Sequence, residues 1–289
     1  MSADTAIAPA TAAAPVRHRG VLGRQLRSEL LMVFRRKRNI AMLVVLALVP
    51  ILIGTAVYLS APRPGEGPPL VNQIAGNGLF LAFAALTICL PVFLPLAVSV
   101  VAGDAVAGEA SSGTLRYLLT VPVSRTRLFF VKSAGVLAYV AFAILLVVAV
   151  GTVFGAVLFG IHGVTLLSGD TVSIGTGFAR TAGIALFVFV DLLGLAAMAL
   201  FFSTLTEVPI GAMAATVVCA IVFAVLESVP QLGAFRSLLL THNWLGFAEL
   251  LRPVVQLRVL VDDTYIPLAY TAIFGTAAWA RLMTADVTS

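Results

Sequence analysis

The side chains most able to do chemistry lie in residues 103–132, between two long apolar runs. This connection has acidic residues near its start, basic residues toward its end and leucines at helical spacing. These residues are Asp104, Glu109, Leu115, Arg116, Leu118, Leu119, Arg125, Arg127 and Lys132. Pro122 would end a helix formed by the leucines. Such a short amphipathic helix is suited to docking in a groove on a soluble partner, and equally to resting against a bilayer.

Motifs for catalysis are missing from the sequence. A phosphate-binding GxxxxGK[ST] loop needs a lysine after its glycines, and neither Lys37 nor Lys132 has that setting. The histidines are far apart, which argues against a hydrolase triad or a metal cage; they are His18, His162 and His242. The two cysteines form no CxxC pair. We therefore expect no enzyme activity, metal or cofactor in this chain, and any ATP must be bound by another chain.

One ionisable residue, Asp191, lies inside an apolar run, in the sequence FVFVDLLGL. An ionised aspartate at the centre of a membrane helix costs at least about 2.5–3.5 kcal/mol on insertion scales. Asp191 must therefore be protonated, paired or directed into a cavity. It is a possible intramembrane polar site that serves a transport pathway or senses ions, or a structural residue that fixes helix packing by a hydrogen bond.

The elements that position these residues are membrane helices. Hydrophobic residues make up 60% of the 289 and charged residues 11%, whereas soluble domains have roughly 45–50% and 25%. This composition excludes a large soluble domain and predicts an all-α integral membrane protein. Uncharged runs predict six transmembrane helices, at about 39–60, 79–101, 130–158, 180–203, 209–229 and 265–281.

The segments around these spans complete the predicted layout of a transmembrane domain at 39–283. Residues 1–19 are expected to be a disordered tail, and 284–289 a second tail. Residues 20–38 have apolar positions at helical spacing, which predicts an amphipathic interfacial helix or an extension of the first span. Residues 230–264 are too charged to span and too apolar for a free loop, so we expect an outer re-entrant or interfacial segment. Gly151 and Gly155 form a small-xxx-small face suited to close helix packing.

The net charge of +5 comes from basic residues that mostly flank apolar runs. There they set membrane orientation and contact anionic headgroups, so we expect a lipid bilayer and no nucleic acid as partner. Most of the 18 Lys and Arg residues fall on one side when the N-terminus is inside. The positive-inside rule therefore predicts that both termini are cytoplasmic.

The order of residues in the connection resembles the signature of bacterial ABC-2 type transporter permeases. It runs from Glu109 through Gly113-Thr114-Leu115, Leu118-Leu119 and Pro122-Val123-Ser124-Arg125 to Lys132. Thr241-His242 and the Trp279-Ala280-Arg281 ending are also similar to that family. The resemblance implies that segment 103–127 includes a cytoplasmic coupling helix that contacts an ATPase. The coupling residues it implies are Asp104, Glu109, Gly113, Thr114, Leu115, Leu118, Leu119, Pro122 and Arg125.

The function implied by the resemblance is that of the permease subunit of an ABC exporter in a bacterial cell (inner or plasma) membrane. Separate ATPase subunits would bind ATP and Mg, and a second permease copy would complete a homodimer or heterodimer. The few interior charges favour an amphipathic substrate such as a drug, antibiotic or lipid-like molecule. Two alternatives stay open. One is a proton- or ion-coupled secondary transporter that uses Asp191, and the other is a non-transporting membrane sensor or anchor.

Overall fold

The computed structural model describes residues 21–60, 73–74, 77–112, 124–160, 164–165, 171–252 and 254–284. These residues are almost entirely helical. The helices are α1 Val21–Arg35, α2 Lys37–Ser60, α3 Leu79–Cys89, α4 Phe93–Asp104, α5 Ala107–Ser111, α6 Arg125–Phe159, α7 Ile174–Leu205, α8 Pro209–Glu227 and α9 Leu257–Thr284. One antiparallel pair joins β1 Val164–Thr165 to β2 Thr171–Val172. Two 3-10 helices, Pro230–Leu238 and Gly246–Leu251, precede α9.

Four described helices, α2, α6, α7 and α8, are long and apolar enough to cross a membrane, which supports a multi-pass membrane protein. The predicted span 79–101 is two helices, α3 and α4, which meet at an angle of 59°. Pro91 lies in the break and Pro95 in the first turn of α4, where each lacks the N–H that would continue the helix. The bent pair brings the count to five if it is one span.

The predicted sixth run, 265–281, lies within α9, which is not among the helices that meet the length and composition test. Helix α9 begins at Leu257, earlier than predicted, and its first turns include Asp262 and Asp263. The outer segment therefore ends sooner than the predicted 230–264. Its short 3-10 helices agree with an irregular, partly apolar segment, and its side chains Leu240, Trp244 and Phe247 are buried in the core.

Helix α7 is the centre of the bundle. Of its most apolar 18 residues 72% are buried, compared with 22–28% for α2, α6 and α8. The outer three expose large apolar side chains such as Leu52, Leu145 and Ile221. Helix α7 therefore forms the core of the described chain, and the other three present apolar surface of the kind that lipid or another apolar surface covers.

The small-residue face predicted on α6 packs closely, as expected. The backbone of Gly155 lies directly against that of Gly78, and the Gly78 N–H donates to the Gly160 carbonyl over 3.0 Å. One turn earlier, a Cβ on Gly151 would lie 2.7 Å from the Cα of Ala82. Only glycine permits such backbone contact, and it fixes the end of α6 to the start of α3.

Helix α1 is separate from α2, because regular helix stops at Arg35 and resumes at Lys37. Asn39 holds this junction, since its side-chain amide donates to the Val33 carbonyl over 2.8 Å. The Tyr139 hydroxyl on α6 donates to the Asn39 carbonyl over 2.9 Å. The junction is therefore tied to α6. The interfacial position of α1 stays a prediction, and the predicted tail 1–19 and residues 285–289 lie outside the described residues.

Candidate functional site

Charged side chains from five helices and from the α1–α2 junction meet at one end of the bundle, next to the connection between α5 and α6. We call this group the charge cluster. Its members are Glu29, Arg36, Arg38, Asp104, Glu109 and Lys132. The three carboxylates and three basic groups balance formally. Such a balanced set allows charges to be buried that would otherwise be too costly to remove from water.

Lys132 is the centre of one half of the cluster. Its side chain is 2% exposed, and its Nζ lies 2.5 Å from Glu109 Oε1 and 3.3 Å from both Glu29 oxygens. Burial raises the pKa of Glu109, and the Lys132 ammonium opposes that rise. Gly135, one turn along α6, leaves room for Glu29, because a Cβ there would lie 2.9 Å from Glu29 Cγ. Lys132 therefore joins α1, α5 and α6.

Asp104 is the centre of the other half. This last residue of α4 binds Arg36 and also Arg38, whose Nη2 lies 2.9 Å from its Oδ2. Gly108 accommodates the carboxylate, since a Cβ there would lie 2.6 Å from Asp104 Oδ1. These ion pairs connect the α1–α2 junction to the corner between α4 and α5.

Ser203 fixes that same corner to the central helix α7. Its Oγ is buried, accepts hydrogen bonds from the N–H groups of Val106 (3.1 Å) and Ala107 (3.0 Å), and donates to the Gly103 carbonyl over 2.8 Å. One hydroxyl thus satisfies two N–H groups at the start of α5 and one carbonyl in the last turn of α4, where helix ends leave backbone groups without helical partners.

Replacing Ser203 with alanine is expected to destabilise the protein by about 2 kcal/mol, since two buried N–H groups and one carbonyl lose their partner. Thermal unfolding of the purified protein in detergent measures this change. Ser237→Ala is the matched control, because that exposed hydroxyl bonds only the Ala234 carbonyl. Equal melting temperatures for the two variants would contradict the role of Ser203.

Arg125 anchors the far end of the connection. It begins α6 and donates from Nη1 to the carbonyls of Met283 (3.0 Å) and Leu282 (3.4 Å), at the end of α9. A cation at a helix C-terminus is favourable, because the last carbonyls lack helical donors. The Trp279 indole N–H also donates to Thr126 Oγ1 over 3.3 Å. The two ends of the connection are thus attached to different helices, α7 and α9.

Six of the implied coupling residues lie in residues 113–123, outside the described part of the chain. They are Gly113, Thr114, Leu115, Leu118, Leu119 and Pro122. Of the three that are described, Asp104 and Glu109 come together in the charge cluster, and Arg125 contacts α9 instead. Both acids are buried and paired within the chain. In their predicted coupling role, Asp104 and Glu109 would therefore hold the connection in position through contacts within this chain.

Sequence reasoning selected Lys132 but did not predict which side chains pair with these acids. Glu29 is the single acid in an otherwise basic helix, and Lys132 is one of only two lysines and lies at the edge of an apolar run. Both are unusual enough to signal a buried pair. Ser203 has no such signal, because hydroxyl residues are common at helix ends.

Asp191 lies near the middle of α7, far along the chain from the charge cluster, and is fully buried. Among the described residues neither of its carboxylate oxygens has a hydrogen-bond partner. Its face of α7 packs against α9 and the outer segment. On that face a Cβ on Gly194 would lie 3.0 Å from the Pro267 carbonyl oxygen and 3.1 Å from Tyr270 Cβ. The structural hydrogen bond considered for Asp191 is therefore absent within the described part.

Comparison with known proteins identifies the family of the chain. Residues 26–227 match the family described as ABC-2 family transporter protein. The search of curated proteins found no match. The matched range covers more than half of the chain, from within α1 to the end of α8, and includes every member of the charge cluster. The chain therefore belongs to the ABC-2 family of transporter proteins.

Proposed function

We propose that this chain is the permease subunit of a bacterial ABC exporter, driven by a separate ATPase subunit. The family match carries the proposal. The attachment of both ends of the connection supports it, because a docking segment transmits movement only if its ends are held firmly. Membership of the ABC-2 family also implies association with an ABC ATPase. ATP and Mg would be bound by that partner, and this chain would supply the membrane path.

The contacts suggest how movement passes into the membrane. A push on residues 113–123 reaches α1, α4 and α6 through Lys132 and Asp104, because their ion pairs join these helices. It reaches α7 through Ser203 and α9 through Arg125. Closure of the ATPase subunits on ATP would therefore shift several helices together. Two permeases, identical or related, would then open a path between them.

The proposal places this protein in the bacterial cell membrane with both termini in the cytoplasm. The charge cluster then lies on the cytoplasmic side, α1 lies in the headgroup plane and α9 makes the sixth crossing. The positive-inside distribution of basic residues supports this orientation. An amphipathic molecule is the proposed substrate, because the helices present mainly apolar side chains.

Co-purification with the ATPase tests the proposal. We expect a tagged wild-type permease to retain the ATPase, and Glu109→Ala or a shortened 113–119 segment to lose it. The shortened variant leaves the described helices intact, so it separates docking from folding. Asp262→Ala is the control, since it removes an exposed acid from α9. Retention of the ATPase by both test variants, with ATP-driven transport unchanged, would refute the coupling role.

A second candidate is a proton- or ion-coupled transporter, which the buried and unpartnered Asp191 favours. Transport assays in proteoliposomes distinguish the two. An ATP-driven exporter stops without ATP, whereas a secondary transporter works on an ion gradient alone and stops in Asp191→Asn. A sensor or anchor would transport nothing under either condition.

A further inference from the structure

The carboxyl group of Asp191 is the strongest unexplained feature of the membrane region. It is 0% exposed, and neither oxygen has a hydrogen-bond partner among the described residues. Polar groups buried in membrane proteins are normally paired or face a functional site, because an uncompensated one costs several kcal/mol. A group that could complete this site therefore has to be sought among its neighbours.

The helix register defines those neighbours. Phe187, Asp191 and Gly194 lie on one face of α7, at spacings of four and three residues. Phe187 is the first of these residues and lies against Gly246 of the outer segment. A Cβ on Gly246 would lie 3.1 Å from the ring tip of Phe187 and 2.8 Å from Asp263 Oδ2. Gly194, two turns further along α7, lies against Pro267 and Tyr270 of α9. Asp191 lies between Phe187 and Gly194, opposite the turn of α9 that starts at Asp263.

Asp263 lies next to this face of α7, because Gly246 lies against both its carboxylate and the ring of Phe187, one turn before Asp191. The other charged or titratable groups that act on Asp263 are Asp262, Glu249 and His242. Glu249 is paired with Arg252 over 2.9 Å. The region thus keeps an excess of carboxylates over basic groups, which attracts a positive charge.

The outer segment closes this region. Its side chains Leu240, Trp244 and Phe247 are buried. Leu240 contacts α7, because a Cβ added to Gly194 would lie 2.7 Å from Leu240 Cδ1. With Phe187 and Tyr270, these residues make the region between α7, α9 and the outer segment largely apolar and aromatic, and Asp263 is half-buried at its edge. Aromatic faces attract organic cations, and an apolar surrounding strengthens a carboxylate–cation interaction.

We propose that Asp191 and Asp263 form a binding site for an organic cation, the ammonium group of an amphipathic molecule, between α7, α9 and the outer segment. An organic cation fits better than a metal ion, because the described residues include no set of three His, Cys, Asp or Glu side chains arranged as metal ligands. The inference deepens the proposed function, on which it rests, by assigning the substrate a positive charge.

The test is a binding titration with two matched probes. One is a phenylalkyl trimethylammonium ion, and the other is its uncharged tert-butyl isostere. The full chain in lipid nanodiscs carries Trp279→Phe, so that the fluorescence of Trp244, the one remaining tryptophan, reports binding in the outer segment. We expect the cation to bind saturably, and Asp191→Asn to raise its Kd at least about tenfold. Binding of the uncharged isostere is expected to be weaker and unaffected by the substitution.

Two further variants make the result specific. Asp262→Asn removes a neighbouring exposed acid and is expected to change the Kd less than about twofold. Gly246→Ala would put a methyl group 2.8 Å from Asp263 Oδ2, so the Asp263 carboxylate has to move, and the variant is expected to weaken cation binding without removing either acid. Gly246→Ala also keeps the test valid if Asp191→Asn does not fold.

An unchanged Kd in Asp191→Asn, equal binding of the two probes, or no saturable binding by the starting protein would each overturn the site. The titration contains no ATP and no ATPase. Cation binding without ATPase co-purification would therefore refute the proposed function and keep the site, and the reverse result would keep the function alone.

Discussion

Replacing Lys132 with methionine is expected to destabilise the protein by about 3–5 kcal/mol, because Glu29 and Glu109 would stay buried without their shared ammonium. Methionine matches the length of the lysine stem, so the lost charge is the main change. Thermal unfolding in detergent, followed by loss of the monodisperse species, measures the effect. The variant is also expected to lose ATP-driven transport, since α1, α5 and α6 are no longer joined.

The other lysine of the chain provides a matched control. Lys37 is exposed at the start of α2, so Lys37→Met is expected to change the melting temperature little. The triple variant Glu29→Gln, Glu109→Gln, Lys132→Met has no buried charge left among these residues and is expected to recover most of the lost stability. If Lys132→Met melts like Lys37→Met, the ion pairs do not hold the helices together.

Replacing Gly155 with alanine is expected to cost about 3 kcal/mol or more, at the upper end of overpacking effects. A Cβ at this position would run into the carbonyl of Gly78, and a backbone carbonyl cannot rotate away as a side chain can. Helices α3 and α6 would have to separate. Their separation would also break the hydrogen bond from the Gly78 N–H to Gly160. Melting temperature and expression level of the variant measure the change.

Gly275→Ala is the control for this substitution. Gly275 lies within α9 and has no atom within 4 Å of the position of a Cβ. Alanine favours helix over glycine, so this variant is expected to be neutral or slightly more stable. Equal destabilisation by the two substitutions would show that helix propensity, and not the approach of α6 to Gly78, determines the result.

The sequence predicts α2, α6, α7 and α8 as membrane helices, because uncharged runs of sufficient length have few other stable structures. It also predicts the close packing of Gly151 and Gly155. The bend between α3 and α4 is harder to predict, since prolines such as Pro50 also lie inside continuous helices. Helix α9 begins before the predicted run 265–281, because the helix continues through Asp262 and Asp263 although they interrupt the apolar sequence.

The candidate site is predictable only in part. Asp104, Glu109, Arg125 and Lys132 could be selected from the connection, but the remaining partners, Glu29, Arg36, Arg38 and the end of α9, come from distant parts of the chain. Glu29 is 103 residues from Lys132, and a single sequence contains no information on which helix faces meet. The surroundings of Asp191 depend likewise on how α9 packs against α7.

The balance of the charge cluster has an electrical consequence. Three carboxylates and three basic groups move together if the cluster shifts along the membrane normal, so the shift carries no net formal charge. A single uncompensated charge that crosses the whole field would add about 2.3 kcal/mol per 100 mV of membrane potential. Because the cluster has no net formal charge, the membrane potential adds no such contribution to its movement. The free energy of moving the cluster is therefore the same in an energised and a depolarised cell.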